Sequence, residues 1–413
     1  MEVGGCDLVD LARRHGTPLY VYDEATVRQR ASEYTAAMGD AGQVLYSAKA
    51  FASPQFLRMV TEEGLGLDVV SAGELHLALK SGFPRERIFF LGNNKSVEDL
   101  RSALDAGTTI VIDGDHEFGL MHDLVPEGSR APVMLRLSPG VKPDTHDHIS
   151  TGQLDSKFGF SIESGAARKA VETALAHPRL ELVGLHSHIG SQIFALGAYE
   201  KAMQIMLDLL VQLRDELGFE PRKLGAGGGL GIAYTRNDDP PTPRHFVETV
   251  RHALITGCAE RGLNVPQLVV EPGRSIAGPA GVALYTVGSI KDIPGVRRYV
   301  AVDGGMGDNI RPKLYGARYE AFLASAPERA TAGKVTIAGK YCESTDILIT
   351  DIEMPELKPG DIIAMPAAGA YNLAMSSNYN GIPRPEVVMV GEGKAHVMRR
   401  RETLDDLLAA EVF

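Results

Sequence analysis

Five short segments of the 413-residue sequence place polar or flexible residues where apolar, strand-like runs end. Lys49 ends "QVLYSAKA", Asp68 lies within "GLDVVS", and His188 follows "LELVGLHS". The glycines of "GAGGG" and the carboxylate of Glu271 in "EPGR" follow two later runs. Because a cation is expensive to bury, a lysine at the end of an apolar strand requires a chemical reason.

These residue types suit an aldehyde cofactor that carries a phosphate. A lysine that forms a Schiff base anchors an aldehyde covalently and loses its cost as a buried cation. The glycines Gly227 to Gly229 permit close backbone approach, and successive amide N–H groups make a nest for an anion. Together they predict pyridoxal 5′-phosphate, with Glu271 at its ring nitrogen and His188 stacked on the ring.

Each residue alone also has an ordinary structural explanation. Lys49 can extend its ammonium group into solvent, and His188 can be a hydrogen-bonded core residue. The glycines can form a tight turn, and glycine-rich loops also occur in nucleotide-binding sites. The functional interpretation therefore depends on whether the fold brings the five segments together.

Strand-like and helix-like segments alternate along most of the chain. Eight apolar runs, from "QVLYSAKA" to "PQLVVEPG", alternate with amphipathic patterns such as "SVEDLRSALDAG" and "YEKAMQIMLDLLVQLRDELG". This alternation indicates a parallel sheet, and the count of eight favours a (β/α)8 TIM-like barrel, with a doubly wound sheet as the alternative. In a barrel, the carboxyl ends of the strands form one rim, where the five segments would meet.

The pattern changes after Pro272 to short extended runs without helices. Examples are "GVALYTVGSIKDI", "DILITDIEMP" and "PEVVMVGEG", which turn residues separate. This spacing predicts a mostly antiparallel β domain. The predicted fold class is therefore α/β, a barrel followed by a β-sandwich or β-barrel domain.

Composition restricts the partners and the compartment. A formal net charge of −11 argues against binding to a nucleic-acid backbone. No apolar run is long enough to span a membrane, and the N-terminal residues lack a signal-peptide pattern. The cysteines Cys6, Cys258 and Cys342 lack metal-binding spacing and suit a reducing compartment. We expect a cytoplasmic protein with a small-molecule substrate and no metal, nucleic-acid or membrane partner.

Nine segments, in order along nearly the whole chain, resemble the fold-type III pyridoxal-phosphate-dependent decarboxylases, and within them the group that acts on meso-diaminopimelate. They are "YSAKA", "GLDVVSAGEL", "ISTGQLDSKFGF", "HSHIGSQ", "GAGGGLGI", "EPGRSI", "DGGMGDNIRPKLYGA", "YCESTD" and "AGAYNLAMSSNYNGIPRP". The resemblance implies decarboxylation of meso-2,6-diaminopimelate to L-lysine and CO2, the last step of lysine biosynthesis. It also implies pyridoxal 5′-phosphate as cofactor.

The resemblance further implies an alanine-racemase-like arrangement of domains. Residues 25–270 would form the cofactor-binding barrel. Residues 1–24 and 271–413 would form the β domain, which completes the active site and the dimer interface. The protein would be a homodimer whose active sites are shared between subunits.

The resemblance also assigns roles to residues, by their position in the motifs. Lys49 would be the Schiff-base lysine, His188 the stacking residue and Cys342 the candidate proton donor. Cys342 and Glu343 would enter the site from the partner subunit, although both also fit ordinary turn positions. The cofactor would be lined by Lys49, Asp68, His188, Ser191, Gly227, Gly228, Gly229, Glu271, Gly273, Arg274 and Tyr371.

Substrate recognition is implied for a smaller set. Arg274, Arg311 and Tyr315 would bind the distal carboxylate of the substrate, because an arginine fork donates two parallel hydrogen bonds to a carboxylate. Glu343 would receive the distal ammonium group, and Tyr371 would also contact the substrate. Ornithine and lysine have no distal carboxylate, so these arginines favour diaminopimelate.

Three residues depart from the family pattern, and three alternative functions remain. Thr345 stands where glycine is common, and Asn372 and Leu373 replace a smaller or aromatic pair.

The alternatives are a sister decarboxylase for D-ornithine, D-lysine or carboxynorspermidine, a catalytically silent regulatory relative, and a metal-dependent barrel enzyme. The last would use His146 and His148 of "DTHDHIS", a spacing more typical of a polar loop.

Overall fold

The computed structural model describes residues 1–141 and 156–413, so His146 and His148 lie outside the described residues. Two compact units make up the described chain. Residues 30–231 and 240–275 form one, here called the barrel unit. Residues 1–29, 232–239 and 276–413 form the other, here called the β unit.

The strands of the described chain are numbered from the N-terminus. They are β1 (Glu2–Val3), β2 (Cys6–Asp7), β3 (Leu19–Asp23), β4 (Gly42–Ser47), β5 (Gly66–Val69), β6 (Ile88–Phe90), β7 (Thr109–Ile112), β8 (Ala131–Ser138), β9 (Phe160–Ser161), β10 (Leu180–Ser187), β11 (Lys223–Gly227), β12 (Gln267–Val270), β13 (Gly281–Ile293), β14 (Arg297–Val302), β15 (Phe322–Leu323), β16 (Gly333–Ala338), β17 (Ile347–Met354), β18 (Ile362–Met365), β19 (Glu386–Gly391) and β20 (Lys394–Arg399).

The α-helices of the described chain are numbered in the same way. They are α1 (Leu8–His15), α2 (Glu24–Met38), α3 (Pro54–Glu62), α4 (Ala72–Lys80), α5 (Val97–Ala106), α6 (His116–Leu124), α7 (Ala166–Ala176), α8 (Gly197–Leu217), α9 (Pro243–Arg261), α10 (Arg274–Ala280), α11 (Arg311–Tyr315) and α12 (Leu404–Leu407).

Eight parallel strands close a barrel in the barrel unit. Their order is β10, β11, β12, β4, β5, β6, β7 and β8, and β8 pairs with β10 to complete the ring. The (β/α)8 prediction is confirmed and the doubly wound alternative is wrong, because an open sheet would leave these two strands unpaired. One packed cluster contains apolar side chains from six of the eight strands or from just after them: Leu45, Phe89, Leu91, Val111, Met134, Val183 and Val269.

The β unit contains a mostly antiparallel sheet, as predicted. Its main path runs β17, β16, β14, β13, β3, β19 and β20, while β18 pairs with β13 and β15. Two pairs are parallel, β14 with β16 and β3 with β19. The N-terminal strand β3 therefore lies between β13 and β19 in this sheet.

The prediction of extended runs without helices after Pro272 is wrong at three places. The helices α10, α11 and α12 lie in this region and have 7, 5 and 4 residues. Helices of one or two turns are too short to establish a 3.6-residue period, so no sequence pattern identifies them. Within the described residues, no helix is long and apolar enough to cross a membrane.

Candidate active site

The turn that carries Lys49 packs against the segment that follows the last barrel strand. Ser47 closes β4, and its backbone N–H donates to the carbonyl of Pro272 at 3.0 Å. A Cβ atom at Gly273 would lie 2.9 Å from the Cβ of Ser47, so only glycine permits this approach. The strands β4 and β12 thus bring Lys49 and Glu271 to the same rim of the barrel.

The glycine run after β11 fits closely against two neighbouring segments. Gly227 has a φ of +69°, and a Cβ there would lie 2.6 Å from the carbonyl oxygen of Ser187 and 2.8 Å from Nδ1 of His188. A Cβ at Gly228 would overlap the carbonyl oxygen of Glu271. These contacts place His188 and Glu271 beside the glycine turn, so the strand ends meet as the sequence predicted.

Lys49 lies in a 3-10 turn, Ala48–Ala50, directly after β4. Its side chain is exposed, which agrees with the solvent-reaching alternative that the sequence left open. The turn carries the chain out of the apolar strand before the lysine, which lets the ammonium group reach solvent. Accessibility leaves the amine available to a small molecule, and the cofactor role of Lys49 stays a prediction.

Asp68 is a buried carboxylate in β5 with one unsatisfied oxygen. Oδ2 accepts a 2.5 Å hydrogen bond from the hydroxyl of Ser47, whereas Oδ1 has no hydrogen-bond partner in the described chain. Burial, reinforced by the negative charge of Glu271, raises the pKa of Asp68 to about 6, and Lys49 opposes this rise. A buried polar atom without a partner is the kind of group that a ligand satisfies.

Glu271 forms a buried pair with His186. Nε2 of His186 lies 2.9 Å from Oε1 and 3.0 Å from Oε2 of Glu271. Burial by itself would raise the pKa of Glu271, but His186, Lys49 and Arg136 outweigh burial, and the pKa falls below its ordinary value. Glu271 is therefore a carboxylate at neutral pH, and Asp68 is the carboxyl group that protonates more easily.

His188 follows β10 as a neutral imidazole. Its Nδ1 accepts a 3.2 Å hydrogen bond from the backbone N–H of Gly228. Burial lowers the pKa of His188 well below its usual value, and the positive charges of Lys49 and Arg136 lower it further. A neutral ring beside the glycine turn offers a flat aromatic surface, although one of the three glycine amides is used by this hydrogen bond.

Arg274 and Ser191 form a hydrogen-bonded pair close to the same rim. The guanidinium Nη2 of Arg274 donates a 2.8 Å hydrogen bond to the hydroxyl of Ser191. Arg274 is buried, and Ser191 is partly exposed. Both groups are hydrogen-bond donors to anions and suit a phosphate.

The residues of this rim fit pyridoxal phosphate as a set. The barrel unit combines an accessible lysine amine, an ionised glutamate, an unsatisfied aspartate oxygen, a flat neutral imidazole, and a glycine turn beside an arginine and a serine. The amine, the glutamate, the imidazole and the glycine turn match an aldehyde, a pyridine nitrogen, an aromatic ring and a phosphate, respectively, and the aspartate oxygen remains open to a further hydrogen bond. Of the predicted cofactor residues, Tyr371 alone belongs to the β unit.

Most of the predicted substrate residues belong to the β unit, where Arg311 has an unusual environment. Arg311 is 4% exposed, and its guanidinium carbon lies 4.8 Å from the ring centroid of Tyr234 and 5.7 Å from that of Tyr319. It donates to the Tyr319 hydroxyl, which in turn donates to Oδ1 of Asn372 at 3.3 Å. Among the described residues, no carboxylate forms an ion pair with Arg311, and its Nε is buried without a hydrogen-bond partner.

Cys342 and Glu343 lie on an exposed turn of the β unit. The backbone N–H of Cys342 donates to Oδ1 of Asn380 at 2.9 Å, and the Tyr379 hydroxyl donates to Oε1 of Glu343 at 2.7 Å. Asp346 holds the base of the turn by accepting from the backbone N–H of Tyr341 at 2.8 Å. The thiol is therefore accessible on a turn whose backbone is held by hydrogen bonds.

The remaining predicted residues of the β unit are Tyr315 and Tyr371. Tyr315 ends the helix α11, which begins at Arg311. Tyr371 is partly exposed and has a φ of +64°, a conformation that side-chain-bearing residues rarely adopt. Of the departures from the family pattern, Asn372 and Leu373 are buried, and Thr345 is partly exposed.

The sequence interpretation missed three charged or polar groups that the barrel places at this site. They are His186, Arg136 and Asp113; Nη1 of Arg136 lies 3.5 Å from Oδ2 of Asp113, and both side chains are buried. The signal was present, because each lies within or directly after an apolar strand, as Lys49 does. In residues 1–141 and 156–413, no group of three acidic, histidine or cysteine side chains could hold a metal.

Comparison with known proteins identifies the family of this chain. The family model described as "Pyridoxal-dependent decarboxylase, pyridoxal binding domain" matches residues 24–278. The diaminopimelate decarboxylase of Bacillus subtilis (strain 168) is 48% identical over 417 residues, covering 100% of this chain and 95% of that protein. The diaminopimelate decarboxylase of Mycobacterium leprae (strain TN) is 46% identical, covering 99% of this chain and 89% of that protein.

A solved structure extends the similarity to three dimensions. The crystal structure of diaminopimelate decarboxylase from M. jannaschii in complex with L-lysine superposes with a TM-score of 0.91 at 34% identity. The match covers 98% of this chain and 94% of that chain. The similarity therefore includes the barrel and the antiparallel sheet.

Proposed function

Because this chain belongs to the pyridoxal-dependent decarboxylases, in the diaminopimelate decarboxylase family, we propose that it decarboxylates meso-2,6-diaminopimelate to L-lysine and CO2. It is a carboxy-lyase that uses pyridoxal 5′-phosphate. The reaction is the last step of lysine biosynthesis. The remaining proposals concern which residues perform it and how subunits share them.

The observation that supports this substrate best is the buried guanidinium of Arg311. A buried cation is costly unless a negative charge or hydrogen bonds satisfy it, and Arg311 lacks a carboxylate partner in the described chain. The two tyrosine rings hold the guanidinium in one orientation. A substrate with a second carboxylate supplies the missing charge, and diaminopimelate has that carboxylate at the end distal to the reaction.

At the barrel rim, each predicted residue has a task that its environment supports. Bound pyridoxal phosphate supplies an electron-withdrawing ring next to the α-carbon that loses CO2. Glu271 is ionised and accepts a hydrogen bond from a protonated ring nitrogen. The glycine turn, Ser191 and Arg274 hold the phosphate group. Lys49 presents its amine to the aldehyde, and the flat face of His188 keeps water from one side of the ring.

The β unit is proposed to hold the substrate and deliver a proton. Arg311, with Arg274 and Tyr315, orients the distal carboxylate, which aligns the reacting carboxylate for loss of CO2. Glu343 accepts from the distal ammonium group, and Tyr371 contacts both cofactor and substrate. Cys342 carries a thiol proton on an accessible turn and delivers it to the α-carbon after CO2 departs.

We also propose the larger organisation that the resemblance implied. Residues 25–270 hold the cofactor, and residues 1–24 with 271–413 complete the site and form the dimer interface. The protein is a homodimer in which Cys342 and Glu343 act in the partner's active site. Its three free thiols suit the cytoplasm, where disulfides are rare.

The first test is a visible absorbance spectrum of the purified protein, before and after addition of meso-diaminopimelate, with L-lysine and CO2 measured in the same sample. A cofactor band that changes on addition, together with equal amounts of both products, is the expected result. A band without L-lysine, but with turnover of D-ornithine or D-lysine, would assign the chain to a sister enzyme. Absence of a band after adding pyridoxal phosphate would refute the cofactor assignment.

A further inference from the structure

His186 makes a two-point contact with the carboxylate of Glu271. Its side chain lies near the carboxyl end of β10 and is 1% exposed, and that of Glu271 is 5% exposed. Because Glu271 is ionised, the N–H at Nε2 of His186 donates to both carboxylate oxygens, at 2.9 Å and 3.0 Å. One donor thus sets the orientation of the whole carboxylate.

Glu271 is the hydrogen-bond partner that accounts for the burial of this imidazole. Nδ1 of His186 is buried and has no hydrogen-bond partner in the described segments of the chain. Burying an unsatisfied nitrogen costs free energy, and an apolar side chain of similar size would avoid that cost. Stability alone therefore does not explain a histidine at this position.

The neighbouring strand provides room for the ring. Gly225 of β11 is the register partner of His186. A Cβ atom at Gly225 would lie 2.9 Å from Cδ2 of the imidazole, closer than carbon atoms pack. Any other residue at position 225 would displace the imidazole and break its contact with Glu271. The glycine of β11 is therefore required for the pair to form.

We propose that His186 is a positioning residue that fixes the charge and the direction of the Glu271 carboxylate toward the ring nitrogen of pyridoxal phosphate. This inference depends on the proposed function only for the role of Glu271 at the cofactor. Without His186, Lys49 and Arg136 still lower the pKa of the buried carboxylate, but the largest contribution that opposes burial is lost, so the protonated form becomes more favourable. A protonated Glu271 stabilises the N–H of the cofactor ring less well, so the cofactor binds more weakly.

The test is a double-mutant cycle on cofactor affinity. The dissociation constant of pyridoxal phosphate is measured by titrating the cofactor-free wild type and the variants H186L, E271Q and H186L/E271Q. H186L should raise the constant by about tenfold or more, the effect of losing a hydrogen bond to a charged group. In the E271Q background, the same change should have little further effect, because His186 acts through Glu271.

Two conservative variants keep the inference testable if H186L does not fold. H186Q retains an N–H at the position of Nε2 and should restore affinity to within a few-fold of the wild type, whereas the shorter H186N should behave like H186L. The control is H15L, which removes another His–Glu pair, in which Nδ1 of His15 lies 2.7 Å from Oε1 of Glu386. H15L should change the melting temperature but leave the cofactor affinity unchanged.

The outcomes separate this inference from the proposed function. The positioning role is overturned if replacement of His186 weakens cofactor binding equally in the wild-type and E271Q backgrounds. It is also overturned if H186N binds the cofactor as tightly as H186Q does. Because the titration contains no substrate, coupling between the two residues supports the role even in a protein that fails to convert diaminopimelate.

Discussion

Lys49 and Arg311 are the two cations on which the proposed chemistry depends, and their environments are opposite. Lys49 is exposed on a turn after β4, where its amine is accessible to small molecules. Arg311 is buried between Tyr234 and Tyr319, where its charge lacks a carboxylate partner in the described residues. The environment of Lys49 suits a reactive group. The environment of Arg311 suits a group that binds an anionic ligand.

Replacement of Lys49 by alanine should abolish steady-state release of L-lysine, because no other amine is proposed to react with the cofactor. CO2 and L-lysine are measured over many turnovers, with circular dichroism to verify folding. Lys201→Ala removes an exposed lysine of α8 and serves as the control, with unchanged activity expected. Steady-state turnover by Lys49→Ala at more than a few per cent of the wild type would exclude the assignment.

Replacement of Arg311 by alanine should lower kcat/KM for meso-diaminopimelate by roughly ten- to a hundredfold, as expected for losing a hydrogen bond to a charged group. The product is L-lysine, so the reacting centre has the D configuration, and D-lysine is the analogue without the distal carboxylate. The variant should affect turnover of D-lysine far less.

The control for Arg311 is Arg318→Ala, which removes an exposed arginine from the same segment. This variant should leave kcat/KM unchanged for both meso-diaminopimelate and D-lysine. An equal loss on diaminopimelate and D-lysine in Arg311→Ala would mean that Arg311 supports the fold rather than the distal carboxylate.

At the scale of elements, the site depends on how closely the ends of β11 and β12 approach each other. The backbone of Glu271 donates to the carbonyl of Gly227 at 2.9 Å. The Cβ position of Gly228 is filled by the Glu271 carbonyl. The glycines are thus required for packing between strand ends, in addition to any contact with phosphate.

Gly228→Ala should therefore weaken cofactor binding and destabilise the barrel by about 1–3 kcal/mol, the usual cost of overpacking. Gly119→Ala in α6 is the matched control, because beyond its chain neighbours and the backbone of its own helix no atom lies within 4 Å of its Cβ position. Alanine there should be neutral or stabilise by up to about 1 kcal/mol. Cofactor titration and thermal unfolding measure both effects; a Gly228→Ala protein equal to the wild type would contradict the packing argument.

At the scale of the whole molecule, the predicted site residues divide between the two units. The predicted cofactor residues lie in the barrel unit, except Tyr371, and the predicted substrate residues lie in the β unit, except Arg274. Cys342 and Glu343 lie on an exposed turn, as residues that act in another subunit would. A homodimer with shared sites is the arrangement that we propose for them.

Mixing two inactive variants tests this arrangement. Lys49→Ala and Cys342→Ala subunits, combined in equal amounts and allowed to exchange, should recover about a quarter of wild-type activity, because half of the dimers have one intact site. Each variant alone should remain at its own low activity, and a mixture of Lys49→Ala with Glu271→Gln should gain nothing. Absence of recovery, with exchange verified by mass, would show that Lys49 and Cys342 act within one chain.

The sequence by itself determined the architecture and most of the rim. Apolar periodicity identified the eight barrel strands and the antiparallel runs of the β unit. The reason is that the order of apolar residues within one strand reflects whether both faces of that strand are buried or only one. Lys49, Asp68, His188, the glycines and Glu271 were identified as unusual residues at strand ends. The carboxyl ends of parallel strands then necessarily share one rim.

Only the tertiary structure decided the partners of these residues. That His186 holds Glu271, that Arg136 lies beside Asp113, and that Lys49 is exposed depend on strand register and on turns of a few residues. The short helices α10 to α12 were missed because one or two turns are too few to establish a helical period. Periodicity specifies which face of a strand is buried, but contacts between side chains distant in sequence, and their pKa values, arise only when the barrel closes.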